Sequence, residues 1–252
     1  MIRYLYGCLA LFMVAASFFW FSHRTSPQPI DSQRLLVGTN GEYPPYTFIQ
    51  DSTLQGFEID VAREAASRLG MAVEWKDMPF EALLPELQLG RIDFVAAGIS
   101  STPERAKRVL FTRPHLRGDP LLIIALNEKY DLAALKGHRV VVNDGYTADL
   151  YMSKVEGIEL LRLPTPADAL MALRAGRADA FVASRTTLET MRSVVGKEQL
   201  ATTVLEDSSE DVSLGFPLSK AALRDRVQTA LDGMEADGTL DRLRQQWGVV
   251  PK

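Results

Sequence analysis

A segment that occurs twice in this chain constrains its fold more than any other feature. Residues 81–95 and 168–182 each contain an amphipathic stretch, a glycine, an Arg-x-Asp triplet and an apolar run. Each copy predicts a helix that ends at a glycine, Gly90 or Gly176, followed by a buried strand. Such helix–glycine–strand units recur throughout α/β proteins, so the repeat alone leaves two interpretations. It is either that common unit used twice or the mark of two similar α/β lobes, and we expect two lobes.

The periodicity around the repeat also alternates between strand and helix. Residues 35–39, 71–75 and 93–97 are predicted strands, whereas residues 59–69 and 80–89 are predicted helices. This order predicts an α/β fold with mainly parallel sheets flanked by helices. Ligands of open α/β sheets bind beyond the carboxyl ends of the strands, so two facing lobes predict one shared cleft.

The composition excludes several kinds of site and partner. The chain has 252 residues, 46% of them apolar, which is enough for a substantial core. The formal net charge of −4 argues against a nucleic-acid partner. Cys8 is the only cysteine and there are three histidines, so we expect no intrachain disulfide, no metal centre and no cofactor.

The first 29 residues are predicted to lie outside the folded domain. Residues 4–21 carry no charge, and Arg3 precedes them. This run is longer than the ~7–15 apolar residues of a secretory signal and approaches the ~18–20 that span a bilayer. Two interpretations stay open, a cleaved signal peptide and an N-terminal membrane anchor with a short linker. Both predict that the rest of the chain is exported, and the second predicts that it stays tethered to the membrane.

Six short motifs, taken in their order, resemble one known family. Over about residues 35–247 the chain resembles family 3 of the periplasmic solute-binding proteins, the amino-acid-binding receptors of ABC importers. The motifs are at residues 38–46 (GTNGEYPPY), 56–61 (GFEIDV), 97–105 (AGISSTPER), 111–114 (FTRP), 144–147 (DGYT) and 236–248, which includes ADGTL and QWG.

The resemblance implies a two-lobed type II periplasmic-binding-protein fold, in which each lobe is a mainly parallel sheet flanked by helices. Lobe 1 would comprise residues 34–116 and 211–252, and lobe 2 residues 117–210. Two hinge segments, near residues 116–118 and 209–211, would join the lobes and allow them to close on a ligand.

Arg105 is the first candidate for the ligand site. Thr102, Pro103 and Glu104 are typical of a helix N-terminus, which places Arg105 in the first turn after the strand 93–97. A guanidinium there can bind a carboxylate through two parallel hydrogen bonds. The residues alone also allow a surface pair with Glu104 or Asp93. The resemblance assigns Arg105 to the ligand α-carboxylate.

Four further residues match family positions that contact the charged groups of the ligand. The resemblance implies that Gly98 and Ser100 contact its ammonium and carboxylate, and that Gly145 and Thr147 form a second carboxylate clamp. Backbone amides at a helix start attract anions, which is consistent with this role for residues 145–147. An ordinary helix cap is the alternative interpretation of that turn.

The side chain of the ligand would meet aromatic and polar residues. Tyr43 and Phe80 match the aromatic pair of the family, and such rings suit an apolar stem or a cation. Phe80 is equally compatible with core packing. Asn40 stands where many relatives have Asp, and Glu42 is either an acceptor for a basic side chain or a solvated loop residue.

Ser184 is a departure from the family pattern. Relatives usually carry an Asp at this position, which binds the ligand α-ammonium, and a serine has no charge to offer. A cation without an anion is costly inside a closed cleft. Three explanations stay open: compensation by Glu42 or Asp144, a ligand that lacks an ammonium, or an approach by Arg185 that favours an anion.

These observations predict an extracytoplasmic receptor that closes on a small carboxylate, first of all an amino acid, and serves an ABC permease. We expect a monomer and no enzyme activity. Two other functions stay open. One is an enzyme on the same fold, of the cyclohexadienyl or arogenate dehydratase type, and the other is a membrane-tethered ligand sensor.

Overall fold

The computed structural model describes residues 34–126, 128–195 and 200–249. The predicted signal peptide or anchor at residues 1–29 lies outside these ranges. Within them, no helix combines the length and the apolar character needed to cross a bilayer.

Two five-stranded sheets form the framework, with two small sheets beside them. The strands are β1 (Arg34–Thr39), β2 (Glu42–Tyr43), β3 (Thr47–Gln50), β4 (Thr53–Gln55), β5 (Ala72–Asp77), β6 (Phe94–Val95), β7 (Leu110–Phe111), β8 (Leu116–Asp119), β9 (Leu121–Leu126), β10 (Arg139–Asn143), β11 (Glu159–Leu163), β12 (Ala180–Ser184), β13 (Leu200–Val204), β14 (Glu210–Val212) and β15 (Gly215–Phe216).

Helices flank both large sheets. They are α1 (Phe57–Arg68), α2 (Phe80–Gln88), α3 (Pro103–Ala106), α4 (Thr147–Met152), α5 (Pro166–Arg174), α6 (Arg185–Val195), α7 (Ala221–Ala236) and α8 (Thr239–Trp247), with a short 3₁₀ turn at Leu218–Lys220.

The two large sheets have the same plan. The first has the order β5-β1-β6-β15-β7, and the second the order β11-β10-β12-β9-β13. In each sheet three neighbouring strands are parallel, and the other two pair antiparallel to their neighbours. The two copies of the repeated segment form α2–β6 in the first sheet and α5–β12 in the second, at equivalent positions.

Local sequence signals account for the helices near the cleft. Helix α1 buries Phe57, Val61 and Ala65 on one face, as their spacing of four residues predicts. It ends before Gly70, whose φ of +70° is the left-handed conformation that glycine adopts without strain. The predicted strand 93–97 is shorter than expected, because the chain leaves the sheet after Val95 toward the turn at Gly98.

The chain crosses between the large sheets twice, through β8 and β14. These two strands pair antiparallel, with Glu210 opposite Asp119 and Val212 opposite Leu116. Both predicted hinge segments overlap this pair of strands. The predicted lobe boundaries at 116/117 and 210/211 fall within these two strands, and they stay a prediction.

A carboxyl group and an imidazole form a buried pair in the core beside the first sheet. Glu58 of α1 is fully buried, and its Oε1 is 2.5 Å from Nε2 of His115, just before β8. The other carboxyl oxygen of Glu58 accepts a hydrogen bond of 3.3 Å from the amide of Gly98. Arg244 of α8 donates to the carbonyl of His115. One buried group therefore connects α1, the loop after β6 and the start of the first crossover.

We expect His115→Ala to lower the free energy of unfolding by about 3 kcal/mol, because it leaves a buried carboxyl group without its closest partner. The control is His138→Ala, since His138 is 39% exposed and lies 3.5 Å from Asp179; its effect should stay within about 0.5 kcal/mol. Urea unfolding at pH 7 measures both, and equal midpoints for the two variants would contradict this role of His115.

Candidate functional site

The loop after β6 presents the first group of site residues. Gly98 has a φ of +66°, and a Cβ there would lie 2.9 Å from Cε1 of Tyr43, so both conformation and space require glycine. Ser100 is buried and pairs with Val212 of β14 through an isolated bridge. The loop is thus fixed against both the aromatic residues of the cleft and the second crossover strand.

Arg105 lies in α3 with only 4% of its surface exposed. The side chain of Thr102 accepts from the Arg105 amide and caps the helix, as the sequence predicts. One guanidinium nitrogen donates to the carbonyl of Ser100 at 2.8 Å, and the other donates to the carbonyl of Gly145 at 2.7 Å. The guanidinium therefore joins the loop of the first sheet to the turn that follows β10 in the second sheet.

The alternative of a surface ion pair for Arg105 is wrong. Glu104 pairs with Lys154 at 3.0 Å, and Asp93 pairs with Lys220. Burial lowers the pKa of Arg105 to about 10, partly opposed by the charges of Glu210 and Glu104, so it stays protonated at neutral pH.

The turn after β10 differs in detail from the predicted anion clamp. Gly145 has a φ of +72°, and Thr147 begins α4, as expected. The amide of Gly145 donates to the carboxylate of Asp149 at 3.1 Å, whereas its carbonyl accepts from Arg105. Asp149 also pairs with Arg162 at 2.9 Å. The main-chain clamp at Gly145 stays a prediction, and in this structure its amide already has a partner.

Three buried aromatic rings meet in the cleft. The ring of Tyr146 lies 4.3 Å from that of Phe80 and 5.4 Å from that of Tyr43, between centroids. The hydroxyl of Tyr146 donates to the side-chain oxygen of Asn40 at 3.4 Å. Tyr43 and Phe80 thus both contact Tyr146, and their role as the pair around a ligand side chain stays a prediction. Tyr146 was missed as a site residue, although it stands within a quoted motif.

The two polar loop candidates are placed differently from each other. Asn40 is buried, and its amide donates to the carbonyl of Met78 at 3.2 Å and weakly to Glu42 at 3.5 Å. Glu42 is exposed at the rim of the cleft. Burial is the main cause of the raised pKa of Tyr146, and the charge of Glu42 adds to the rise.

Ser184 is fully inside the cleft at the end of β12. Its Oγ is 3.2 Å from the hydroxyl of Tyr43 and 3.3 Å from that of Thr187. The neighbouring Arg185 lines a different groove, together with Tyr46, Asp119 and Trp247. The cavity next to Ser184 is lined by Tyr43, Asn143, Tyr146, Ala148, Val182, Ala183, Ser184, Thr187 and Glu210.

Glu210 is a central residue of the site that the sequence analysis missed. It is 5% exposed, and its Oε2 accepts from the hydroxyl of Tyr43 at 3.1 Å. Burial raises its pKa to about 7, the negative charge of Asp119 adds to this, and Tyr43, Arg105 and Thr147 oppose it. Nothing in the acidic segment 206–211 distinguishes this residue, because only the pairing of β14 with β8 directs it inward.

The space between these side chains is small, with a cavity volume of about 10 Å³. Binding pockets for small molecules usually measure about 300–1,000 Å³. The ring of Tyr146 fills part of the region between Tyr43 and Phe80, so a ligand with a long side chain requires this ring to move. Among the described residues, no cluster of three or more His, Cys, Asp or Glu side chains could hold a metal ion.

We expect Glu210 to make the protein less stable as the pH rises from 4.5 to about 7. A carboxyl group whose pKa is raised from 4.5 to about 7 on folding binds its proton more tightly in the folded state. Its contribution to the free energy of unfolding is therefore fully present below the pKa of the unfolded state, and it is lost as the pH rises through the pKa of the folded state. The difference corresponds to about 3 kcal/mol.

Glu210→Gln removes this contribution and is close to isosteric. Urea unfolding of both proteins between pH 4.5 and 8 should show the wild type losing about 3 kcal/mol relative to the variant. The variant should then be the more stable protein at pH 8. Parallel stability curves for the two proteins would show that Glu210 has an ordinary pKa.

Comparison with known proteins gives one consistent family. The model of the bacterial extracellular solute-binding proteins, family 3, matches residues 35–250. A probable ABC transporter arginine-binding protein, ArtJ, of Chlamydia trachomatis is 27% identical over 228 residues, 87% of each chain. The histidine-binding periplasmic protein of Salmonella typhimurium is 28% identical over 239 residues, 90% of this chain and 92% of that one.

Solved structures agree with this result. An ancestral arginine-binding protein bound to arginine is 31% identical, with a TM-score of 0.78 over 85% of this chain and 97% of that one. A mutant of ArgBP from T. maritima is 30% identical, with a TM-score of 0.79 over 86% and 96% of the two chains. The predicted two-lobed α/β fold is confirmed by these similarities.

Proposed function

This chain belongs to family 3 of the bacterial extracellular solute-binding proteins, and we propose that it closes on a small carboxylate, an amino acid in the first place, for uptake by an ABC permease. The prediction of a binding protein rather than an enzyme is confirmed by the relatives, which are named as binding proteins. The arginine and histidine in those names support an amino acid as the ligand.

The observation that carries the proposal is the buried guanidinium of Arg105. Among the described residues, its hydrogen-bond acceptors are two neutral carbonyls, those of Ser100 and Gly145. Among the salt bridges between described residues, none includes Arg105. A buried cation is costly unless a negative group compensates it, and a ligand carboxylate would supply that group through the two parallel bonds that a guanidinium favours.

The surroundings favour a ligand with a basic side chain. The guanidinium carbon of Arg105 lies 5.6 Å from the centre of the Phe80 ring, so this aromatic face already attracts one cation. The charges of Glu42 and Glu81 reach Tyr146, where both raise its pKa. Among amino acids, we therefore propose that arginine, lysine and histidine bind more tightly than acidic ones.

The location and assembly of the protein also belong to the proposal. The named relative from Salmonella typhimurium is periplasmic, and the uncharged run at residues 4–21 supports export of this chain. A tether formed by that run, and a monomeric receptor, complete the proposal.

We expect one or more basic amino acids to raise the Tm of the protein in a thermal-shift screen of the twenty amino acids and small organic acids. A ligand at 100 times its Kd adds about 2.7 kcal/mol to the free energy of unfolding. For a domain of this size, that raises Tm by about 5–10 °C. The absence of any shift at millimolar concentrations would contradict the receptor proposal.

We expect Arg105→Ala to weaken binding of the best ligand by at least about 2 kcal/mol, or about 30-fold in Kd, because a charge-assisted pair is lost. Arg105→Lys keeps the charge but not the planar fork, so it should recover only part of this loss. Isothermal titration calorimetry measures both variants.

The matched control is Arg113→Ala. Arg113 is an exposed arginine of the first sheet's surface that pairs with Asp232, and its removal should leave Kd unchanged. If Arg105→Ala and Arg113→Ala bind the ligand equally well, the assignment of Arg105 to the ligand carboxylate is wrong.

A further inference from the structure

The second crossover strand places an acid inside the ligand cleft. Glu210, the first residue of β14, lines the same cavity as Ser184, Tyr43 and Tyr146. It accepts from the hydroxyl of Tyr43, which also lies 3.2 Å from the Oγ of Ser184. The side chain is 5% exposed, so its charge is directed into the cavity rather than into bulk solvent.

Asp119, the opposite residue on β8, has a different role. Its carboxylate accepts from the amide of Thr186 at 3.2 Å and from the hydroxyl of Tyr46 at 3.3 Å. Both contacts fix the start of α6 against the first crossover. Asp119 also accepts from the hydroxyl of Ser184, but it lines the groove with Arg185 and is not among the residues that line the cavity beside Ser184.

Glu210 retains acceptor positions for a ligand. A carboxylate has about four of them, and the donors to Glu210 among the described residues are the hydroxyls of Tyr43 and Thr147. Glu42 and Asp144, the acids considered from the sequence, are exposed and half-buried respectively. Glu210 is therefore the best-placed anion for a cation bound in this cavity.

The cleft thus contains a fixed cation and a fixed anion that interact with each other. The charge of Arg105 lowers the pKa of Glu210, and the charge of Glu210 raises that of Arg105. An α-amino acid has the complementary arrangement, since its carboxylate and ammonium are attached to the same carbon. A carboxylic acid without the ammonium would satisfy Arg105 but would leave Glu210 buried with no cation besides Arg105, whose charge the ligand carboxylate would then offset.

We propose that Glu210 binds the α-ammonium of the ligand and thereby selects amino acids over their deaminated analogues. This inference rests on the proposed function, because it requires a carboxylate ligand at Arg105. It assigns the missing charge at Ser184 to a residue of the second crossover strand. Ser184 then contributes a neutral hydroxyl within hydrogen-bond distance of the Tyr43 hydroxyl, and the Tyr43 hydroxyl donates to Glu210.

The test compares matched ligands on matched variants. The first ligand pair is L-arginine and 5-guanidinopentanoic acid, which differ only in the α-ammonium, and the corresponding pairs for the other amino acids complete the panel. Kd is measured by calorimetry at pH 8 for the wild type, Glu210→Gln, Asp119→Asn and Asp211→Asn. Asp211 is the neighbouring acid on β14, and it accepts from the amide of Gly118.

Glu210→Gln should weaken binding of the amino acid by about 30-fold or more and leave the deaminated acid unchanged or bound more tightly. The ratio of the two Kd values should stay at the wild-type level in Asp119→Asn and Asp211→Asn. An unchanged ratio in Glu210→Gln, or an equal change in Asp119→Asn, would overturn the assignment to Glu210.

The same panel separates this inference from the function on which it rests. If the wild type binds no member of the panel, the proposed function itself fails. If the wild type binds a deaminated acid as tightly as its amino acid, the carboxylate receptor stands and the role of Glu210 is overturned. Circular dichroism of Glu210→Gln verifies that the variant is folded, and its expected gain in stability at pH 8 makes it a suitable protein for the test.

Discussion

Burial of the Arg105 guanidinium between the two sheets is the interaction on which the rest of the site depends. Moving a cation out of water costs several kcal/mol, and hydrogen bonds to neutral carbonyls offset only part of that cost. The fold provides these bonds from both sides, through Ser100 on the first sheet's loop and Gly145 after β10. The remaining cost is what the proposed ligand carboxylate would relieve, so affinity for it would follow from a position that is unfavourable for the protein alone.

The crossover strands impose a second electrostatic cost, the burial of two carboxyl groups next to each other. The register of β8 and β14 sets Asp119 opposite Glu210; burial raises the pKa of both, and repulsion by the charge of Asp119 adds to the rise at Glu210. Asp119 is compensated by donors at the start of α6, whereas Glu210 relies on two hydroxyl groups and the nearby charge of Arg105. An ammonium beside Glu210 would relieve this repulsion. Both costs are therefore located at or beside the crossover strands, and the proposed ligand would offset both of them.

The parts that could be predicted from the sequence are those determined by neighbours along the chain. The face of α1 and the Thr102 cap follow from residues within a few positions of one another. The repeat and the ordered motifs gave the two-lobed fold and gathered Tyr43, Phe80 and Arg105 in one cleft. Glu210 was beyond reach because its contact with Tyr43 spans 167 positions and depends on strand register. The residues around Arg105 alone also allowed a surface pair, because burial is not a local property.

The turn that begins α4 connects the separate parts of recognition. Gly145 accepts from Arg105 through its carbonyl. The ring of Tyr146 packs against those of Phe80 and Tyr43. The hydroxyl of Thr147 donates to Glu210. Three consecutive residues therefore contact the groups that would bind the carboxylate, the side chain and the ammonium of an amino acid. A displacement of this turn would alter all three at once, because each contact crosses from the second sheet to the first sheet or to the crossover strands. In the proposed function, ligand recognition and closure of the cleft would therefore be one event, and the aromatic ring of Tyr146 would set how much room the ligand has in the closed cleft.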